Sequence, residues 1–347
     1  MHFSAPNWFA MIPTVSEDAL IAMVDGGGTA SRAVVAHVSG RIYGYAEGAS
    51  TNARAIGDDQ ALENLIEVVM KCANNAAILP SDLEICLITT AGLATCGQAD
   101  LISNKIMQRL PGEALVATVP DTMGSWAITA NLAPAVAVIS GTGSVVFCGD
   151  ISANICRSLG NWDYLLGDQG SGFAIGRAAL QEAMRVSEGR SHSATVAEIC
   201  LGHYGLDDLQ DIPDSIHKPT IDKADIAALA RPILDAAADG LIEAQEIVRH
   251  QAKLLANTTV AGLAMMGRPT PVVGCFGGVF HNEFYLIEFT AHVQNIMREQ
   301  EIRVITDAFP LAGVFRLLLA GIPASRSFDS SSSAIRLFDD QIKNIRT

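Results

Sequence analysis

Basic side chains are scarce in this sequence: 23 lysines and arginines stand against 37 aspartates and glutamates, a formal net charge of -14. That excess repels a nucleic-acid backbone or an anionic membrane surface, so no nucleic acid and no membrane are expected as main partners. A small anionic ligand remains compatible with a locally positive site. Clustered cysteine is missing too. The seven cysteines, Cys72, Cys86, Cys96, Cys148, Cys156, Cys200 and Cys275, are odd in number, scattered through mostly apolar runs and never spaced CxxC. They read as buried, reduced thiols of a cytoplasmic protein rather than as metal ligands or redox pairs. Residues 1–20 carry neither a cationic n-region nor a continuous apolar core, and no apolar run reaches the length of a bilayer span. A P-loop, GxxxxGK(S/T), is absent, and no GxGxxG turn opens a helix after a strand.

Apolar residues are plentiful, at 49% of 347 residues, enough for two sizeable cores, and the length itself suggests two domains. "ALIAMVD" (19–25) reads as a buried strand, and "SRAVVAHVSGRIYGYAEG" (31–48) as two more, broken at Ser39-Gly40. A helix over 58–76, a strand over 84–92, a helix over 98–110 and a strand over 114–121 complete a β-β-β-α-β-α-β succession. A second succession starts with "PAVAVISGTGSVVFCGD" (134–150), a strand, a Gly/Ser turn and a returning strand, followed by "ANICRSLG". Long helical stretches over 171–204 and 222–266 follow, then a strand at 271–278, a helix near 281–298, a strand at 301–307 and a helix at 310–321. The tail from Ser325, with "DSSSSA", reads as a linker into a short terminal helix. The expected organisation is a loosely structured extension (1–19), an N-terminal domain (20–130) and a C-terminal domain with helical insertions (131–347). Two similar α/β halves facing each other would form an interdomain cleft, a usual place for a ligand.

Both halves place a glycine-rich turn between apolar strands. The first holds Gly26, Gly27 and Gly28 with the hydroxyls of Thr29 and Ser31; the second holds Gly141, Thr142, Gly143 and Ser144. Glycine lets the backbone approach a ligand and aim successive N–H groups into one concavity, which suits phosphate oxygens. One such turn is as well explained by a tight hairpin, but two at equivalent places in repeated halves favour a nucleotide phosphate clamp. Asp25, ending the first strand, either caps its turn or helps hold Mg²⁺, through water, beside a triphosphate. Asp121, before "TMGSWAITA", reads as a helix N-cap, a general base, or both.

The resemblance then becomes specific. "DGGGT", "GASTN" (48–52), "VPD" (119–121), "ISGTGS" (139–144), "GNWDYLLGDQGSGFAIGRAAL" (160–180) and "GCFGGVF" (274–280) occur in the order seen in the N-acetylglucosamine kinase family. That family belongs to the BadF/BadG-type ATPase group of the acetate and sugar kinase/heat-shock cognate/actin superfamily. The similarity covers about residues 20–322. It implies an α/β fold of two duplicated ribonuclease H-like (actin-like ATPase) domains, closing on ATP, Mg²⁺ and an amino sugar, in a protein expected to be a homodimer. It implies that the two glycine turns are phosphate motifs and that "FGGVF" is the adenosine motif, with Gly277 and Gly278 letting the backbone pass close to the base and ribose. Asp121 matches the catalytic base, and Asn52, Trp162 and Asp168 fall in motifs that contact the sugar. Asn52 and Trp162 are open to turn and core roles, and Asp168 to capping a helix that starts near Ser171. The implied reaction is ATP-dependent phosphorylation of a sugar 6-hydroxyl, N-acetylglucosamine first, with glucosamine and N-acetylmuramic acid as alternatives.

Two departures border the presumed sugar pocket: Asp163 stands where a glycine commonly follows the tryptophan, and Gln169 where a glutamate is common. An activator ATPase of 2-hydroxyacyl-CoA dehydratases shares the nucleotide core but needs a cysteine cluster, which this sequence lacks. A non-catalytic amino-sugar sensor would have no use for Asp25 and Asp121 together. Repressor-type relatives with a zinc-binding CxCGxxGC and a helix-turn-helix are excluded by the absence of both.

Overall fold

An apolar run with no polar interruption before Asp25 becomes strand β1 (Leu20–Gly26), buried from Ile21 to Gly26, as a strand covered on both faces must be. The computed structural model describes residues 11, 14–28, 30–93, 96–217, 221–267, 271–298, 300–305, 309–321 and 328–345. In chain order, β1 is followed by β2 (Ala30–His37), β3 (Ile42–Ala49), α1 (Ala53–Ile56), α2 (Asp58–Asn75), β4 (Ile85–Thr90), α3 (Cys96–Met107), β5 (Leu115–Pro120) and α4 (Asp121–Ala130). Next come β6 (Ala135–Ser140), β7 (Ser144–Asp150), β8 (Ile155–Gly160), α5 (Asp163–Leu166), α6 (Gly172–Ser187), α7 (Ala194–Tyr204) and α8 (Asp211–His217). The chain continues through α9 (Lys223–Ala228), α10 (Ala230–Ala238), α11 (Ile242–Met266), β9 (Val272–Phe276), α12 (Glu283–Ile296), β10 (Ile302–Val304), α13 (Pro310–Ala320) and α14 (Phe328–Ile345). It divides into two compact units, residues 1–135, 149–157 and 307–347 in the first, and 136–148 and 158–306 in the second.

The first unit is built on a sheet of order β3-β2-β1-β4-β5, antiparallel between β1 and β2 and between β2 and β3, parallel between β1 and β4 and between β4 and β5. The parallel strands β1, β4 and β5 therefore end at the same edge, the position where open α/β sheets receive ligands. The period of two along β1 sends Ala22 and Val24 into a core with Leu62, Leu65, Val68, Val69 and Cys72 of α2 and Ile106 of α3. Helices α4 and α13 also pack on β1, so helices cover both faces of the sheet. Val15, within the expected extension, is buried, and its N–H donates to the Gly321 carbonyl; residues 1–10, 12 and 13 lie outside the described residues.

The tail departs from expectation. The segment "DSSSSA" is part of α14, an 18-residue helix, rather than a linker. Ala334, Phe338 and Ile342, four apart, are buried. Phe338 stacks on Phe315 of α13 with centroids 4.4 Å apart, and Asp339 pairs with Arg316 at 2.6 Å. Tertiary burial of one helix face outweighs the weak helical preference of the serines.

The second unit repeats the plan. Its sheet order, β10-β9-β6-β7-β8, is that of the first with β6 to β10 in the places of β1 to β5. The long helical stretches consist of several helices each: 171–204 holds α6 and α7, and 222–266 holds α9, α10 and α11. The six cysteines whose burial is described are buried, and none of them forms a disulfide among the described residues. Among the described residues no helix is long and apolar enough to cross a membrane.

Candidate active site

In the first unit the polar residues collect at the common edge of β1, β4 and β5. Asp25 lies near the end of β1, opposite Arg32 on β2 and Thr89 on β4. Asp121 is the first residue of α4, immediately after β5. The two carboxylates are close enough to act on each other. Burial, and then the charge of Asp121, push the Asp25 carboxyl up to about 7 against an opposing Arg32, whose guanidinium lies 3.9 Å away. Burial pushes Asp121 up to about 6, opposed by backbone N–H bonds from Thr122 and Asp121 itself. The Thr122 N–H donates to Asp121 Oδ1 at 2.9 Å. Each carboxylate oxygen has two lone pairs, so this bond orients the group and lowers its basicity somewhat while leaving lone pairs to take a proton.

The first glycine turn folds against the loop 48–52. Thr51 N–H donates to the Gly27 carbonyl at 3.2 Å, and Thr51 and Thr90 share a hydroxyl hydrogen bond of 2.9 Å. Asn52 caps α1 by accepting from Arg54 N–H, and its amide lies beside Gly28 and Gly92. Gly26, Gly27, Gly28, Asn52, Asp25 and Asp121 thus all belong to this unit. Ser31 sits within β2 with its hydroxyl buried against Gly48 and no hydrogen-bond partner among the described residues, so it underlies the turn instead of presenting an oxygen at its surface. Thr29 lies outside the described residues.

In the second unit the Gly141–Ser144 turn is gripped from behind. Gly172 N–H and Phe173 N–H, opening α6, donate to the carbonyls of Gly141 and Thr142 at 2.7 and 3.2 Å. Asp168, buried and left-handed at φ +57°, accepts the Ser144 N–H on Oδ1 at 3.0 Å. A Cβ at Gly143 would stand 2.8 Å from that same oxygen, so a side chain here would push the Asp168 carboxylate off the Ser144 N–H. Capping of α6 falls to Ser171, which accepts from Ala174 N–H, and not to Asp168. Gly277, at φ +98°, passes so close to β6 that a Cβ would meet the Ser140 carbonyl oxygen at 2.2 Å. Thr142 and Gly278 are exposed.

These elements open onto a cavity of about 780 Å³, lined by Gly141, Thr142, Ala224, Arg231, Gly278 and His281 among others. Its walls are mostly small residues with a few polar groups, a volume within the usual range for small-molecule ligands. Trp162 stands apart: it is 70% exposed, at the start of α5, beside the exposed Leu165 and Leu166.

Two charged residues had no sequence motif to mark them. Arg32 was discoverable from the hairpin register, which places it across from Asp25. Lys223, at the start of α9, bridges Asp163 Oδ1 at 2.5 Å and Asp168 Oδ2 at 3.0 Å, a contact that no local pattern encodes.

Comparison with known proteins places this geometry. An N-acetylmuramic acid/N-acetylglucosamine kinase from Clostridium acetobutylicum is 23% identical over 267 residues, covering 76% of this chain and 87% of that protein. Glucosamine kinase GspK from Vibrio cholerae is 26% identical over 187 residues, 53% of this chain and 61% of that one. A solved structure from Chromobacterium violaceum, provisionally named an N-acetylglucosamine kinase, shares the fold with a TM-score of 0.69 at 21% identity, covering 87% of this chain and 100% of that one. The profile of one ATPase family runs from residue 24 to residue 312, spanning both glycine turns, Asp121, Asp168 and the Gly277–Gly278 step. The chain belongs to the BadF/BadG/BcrA/BcrD ATPase family.

Proposed function

We propose that this protein is an ATP- and Mg²⁺-dependent amino-sugar kinase that phosphorylates a sugar 6-hydroxyl, N-acetylglucosamine first, with glucosamine and N-acetylmuramic acid as the alternative substrates. The observation that carries the reading is the carboxylate pair of buried Asp25 and half-buried Asp121, at the shared end of parallel strands beside a glycine turn. A binding protein without chemistry gains nothing from two mutually repelling carboxylates withdrawn from water. The Clostridium and Vibrio relatives, kinases of N-acetylmuramic acid/N-acetylglucosamine and of glucosamine, support the substrate class.

On this reading the second unit takes the adenosine moiety in the cavity beside Gly278 and a phosphate at the Gly141–Ser144 turn. The first unit takes phosphate oxygens at Gly26–Gly28 and the sugar at Asn52. Asp168 and Trp162 are the further sugar contacts proposed, although the Asp168 carboxylate is largely engaged with Ser144 and Lys223. The donor set fits a magnesium ion: Asp25 is a buried carboxylate whose charge is disfavoured until a cation relieves it. Among the described residues no group of three or more His, Cys, Asp or Glu is placed to hold a metal, so Asp25 would share it, through water, with phosphate oxygens. When bound, the ion neutralises charge on the transferring phosphoryl group.

Asp121 accepts the proton of the 6-hydroxyl as that oxygen forms its bond to the γ-phosphorus and the bond to ADP breaks. With its carboxyl at about 6 it is largely ionised at neutral pH, and still basic enough to take a proton from a hydroxyl that acidifies as it reacts. Positioning and charge neutralisation supply the rest of the acceleration. The test is ADP release with Mg-ATP against N-acetylglucosamine, glucosamine, N-acetylmuramic acid, N-acetylmannosamine and glucose. Sugar-stimulated turnover supports the reading, and no stimulation by any sugar refutes it in favour of a sensor or activator.

A further inference from the structure

Asp163, the first residue of α5, and Asp168, two residues beyond that helix, have an unusual backbone: both are left-handed without being glycine, at φ +62° and +57°. Non-glycine residues keep such a conformation only where the surroundings fix it. Here one ammonium contacts both carboxylates. Lys223 Nζ lies 2.5 Å from Asp163 Oδ1 and 3.0 Å from Asp168 Oδ2, and 5.1 Å from the centre of the Tyr164 ring. Asp163 Oδ1 also accepts the Tyr164 N–H, and Asp168 Oδ1 accepts the Ser144 N–H. Partial burial works against the lysine's charge, yet the hydrogen bonds to Asp163 and Asp168 hold its pKa above the ordinary value. Lys223 also opens α9, whose Ala224 and Ala227 wall the cavity.

We propose that Lys223 is a positioning residue for phosphate binding: through Asp168 it fixes the Gly143–Ser144 backbone, and through its own helix it locks that turn to the cavity wall. The proposal rests on the nucleotide reading given above. Without the ammonium, Asp168 keeps a nearly buried carboxylate bonded only to the Ser144 N–H, a costly arrangement that is relieved by swinging toward water and pulling the turn with it. The cavity wall beyond α9's first residue is untouched. The loss should therefore appear on phosphate groups and not on the nucleoside.

The experiment measures the affinity of the whole protein for a non-hydrolysable Mg-ATP analogue and, separately, for adenosine, in wild type, Lys223→Met, Lys223→Arg and Asp163→Asn. Lys223→Met is expected to bind the analogue about tenfold more weakly, the scale of a lost charge-assisted hydrogen bond, with adenosine affinity within about twofold. Lys223→Arg, which keeps the charge, is expected to recover most of the loss. Should Lys223→Met fail to fold, Asp163→Asn carries the test, because its side chain is 43% exposed and its replacement keeps an acceptor for Tyr164 N–H. Unchanged analogue affinity, or an equal loss for analogue and adenosine, overturns the proposal. A wild-type protein that binds neither ligand overturns the nucleotide reading along with it, whereas a binding wild type with unmoved variants overturns this proposal alone.

Discussion

A Cβ on Gly277 would stand 2.2 Å from the carbonyl oxygen of Ser140, while one on the next residue, Gly278, would meet nothing within 4 Å. The two glycines therefore serve different ends. Gly277, at φ +98°, lets β9 leave the sheet against β6, whereas Gly278 borders the cavity. Gly277→Ala is expected to lower stability by about 3 kcal/mol, roughly 6–12 °C in thermal melting, because backbone cannot yield as a flexible side chain would. Gly278→Leu is expected to change stability by less than about 0.5 kcal/mol and to weaken nucleotide binding at least tenfold by filling the cavity. Melting curves and nucleotide titrations of the two variants, side by side, check the contrast.

Asp121→Asn keeps the shape and the Thr122 hydrogen bond but removes the proton acceptor. The expected result is a fall in kcat of about 10²–10⁴-fold, the usual worth of a positioned general base. The KM for ATP should stay within a few-fold of wild type. Steady-state ADP release with saturating sugar reads both quantities, and a large KM effect with intact kcat would assign Asp121 to binding.

The carboxylate pair also sets a pH dependence of stability. Asp25 and Asp121 have folded pKa values of about 7 and 6 against an ordinary 3.8. The folded state thus binds their protons more tightly than the unfolded state does, so the pair adds stability near pH 4 that is lost as pH rises through 6 and 7. Above pH 7 both groups are charged, Asp25 in a buried place and Asp121 beside it in a half-buried one. Asp25→Asn is expected to raise the melting temperature at pH 8 by roughly 4–8 °C, about 2 kcal/mol, and to change it little at pH 4.5. Magnesium at pH 8 should raise the melting temperature of the wild type and not of the variant. Thermal scans at the two pH values, with and without the ion, decide it.

Phe338 tests the tail. Its ring is fully buried and stacked on Phe315, so Phe338→Ala is expected to cost about 3–5 kcal/mol. A tail that merely trailed from the fold would lose nothing measurable by urea denaturation.

Strands and glycine turns were legible because they depend on short-range pattern: continuous apolar runs for β1, β4 and β6, and glycine where the backbone turns or approaches closely. The matching strand orders of the two sheets follow from the repeated succession of elements. Features decided by distant partners were not legible. The serine run of α14 looks like linker until Phe338 and Asp339 meet Phe315 and Arg316. The breaks in the long helical stretches fall at small or polar residues, such as Glu188–Ser193 between α6 and α7, within otherwise continuous apolar periodicity. Asp168 showed its position in a motif, but its engagement with Ser144 and Lys223 required the chain to fold back. Arg32 lay between these cases, readable only once the hairpin register was known.

The central claim is transfer of the terminal phosphoryl group of ATP to a sugar hydroxyl, and ³¹P NMR of the protein with Mg-ATP and N-acetylglucosamine tests it most directly. The account predicts that loss of the γ-phosphate signal is matched one for one by a sugar phosphomonoester coupled to the two protons at carbon 6. Inorganic phosphate appearing in its place, or no ATP consumption at all, would contradict it.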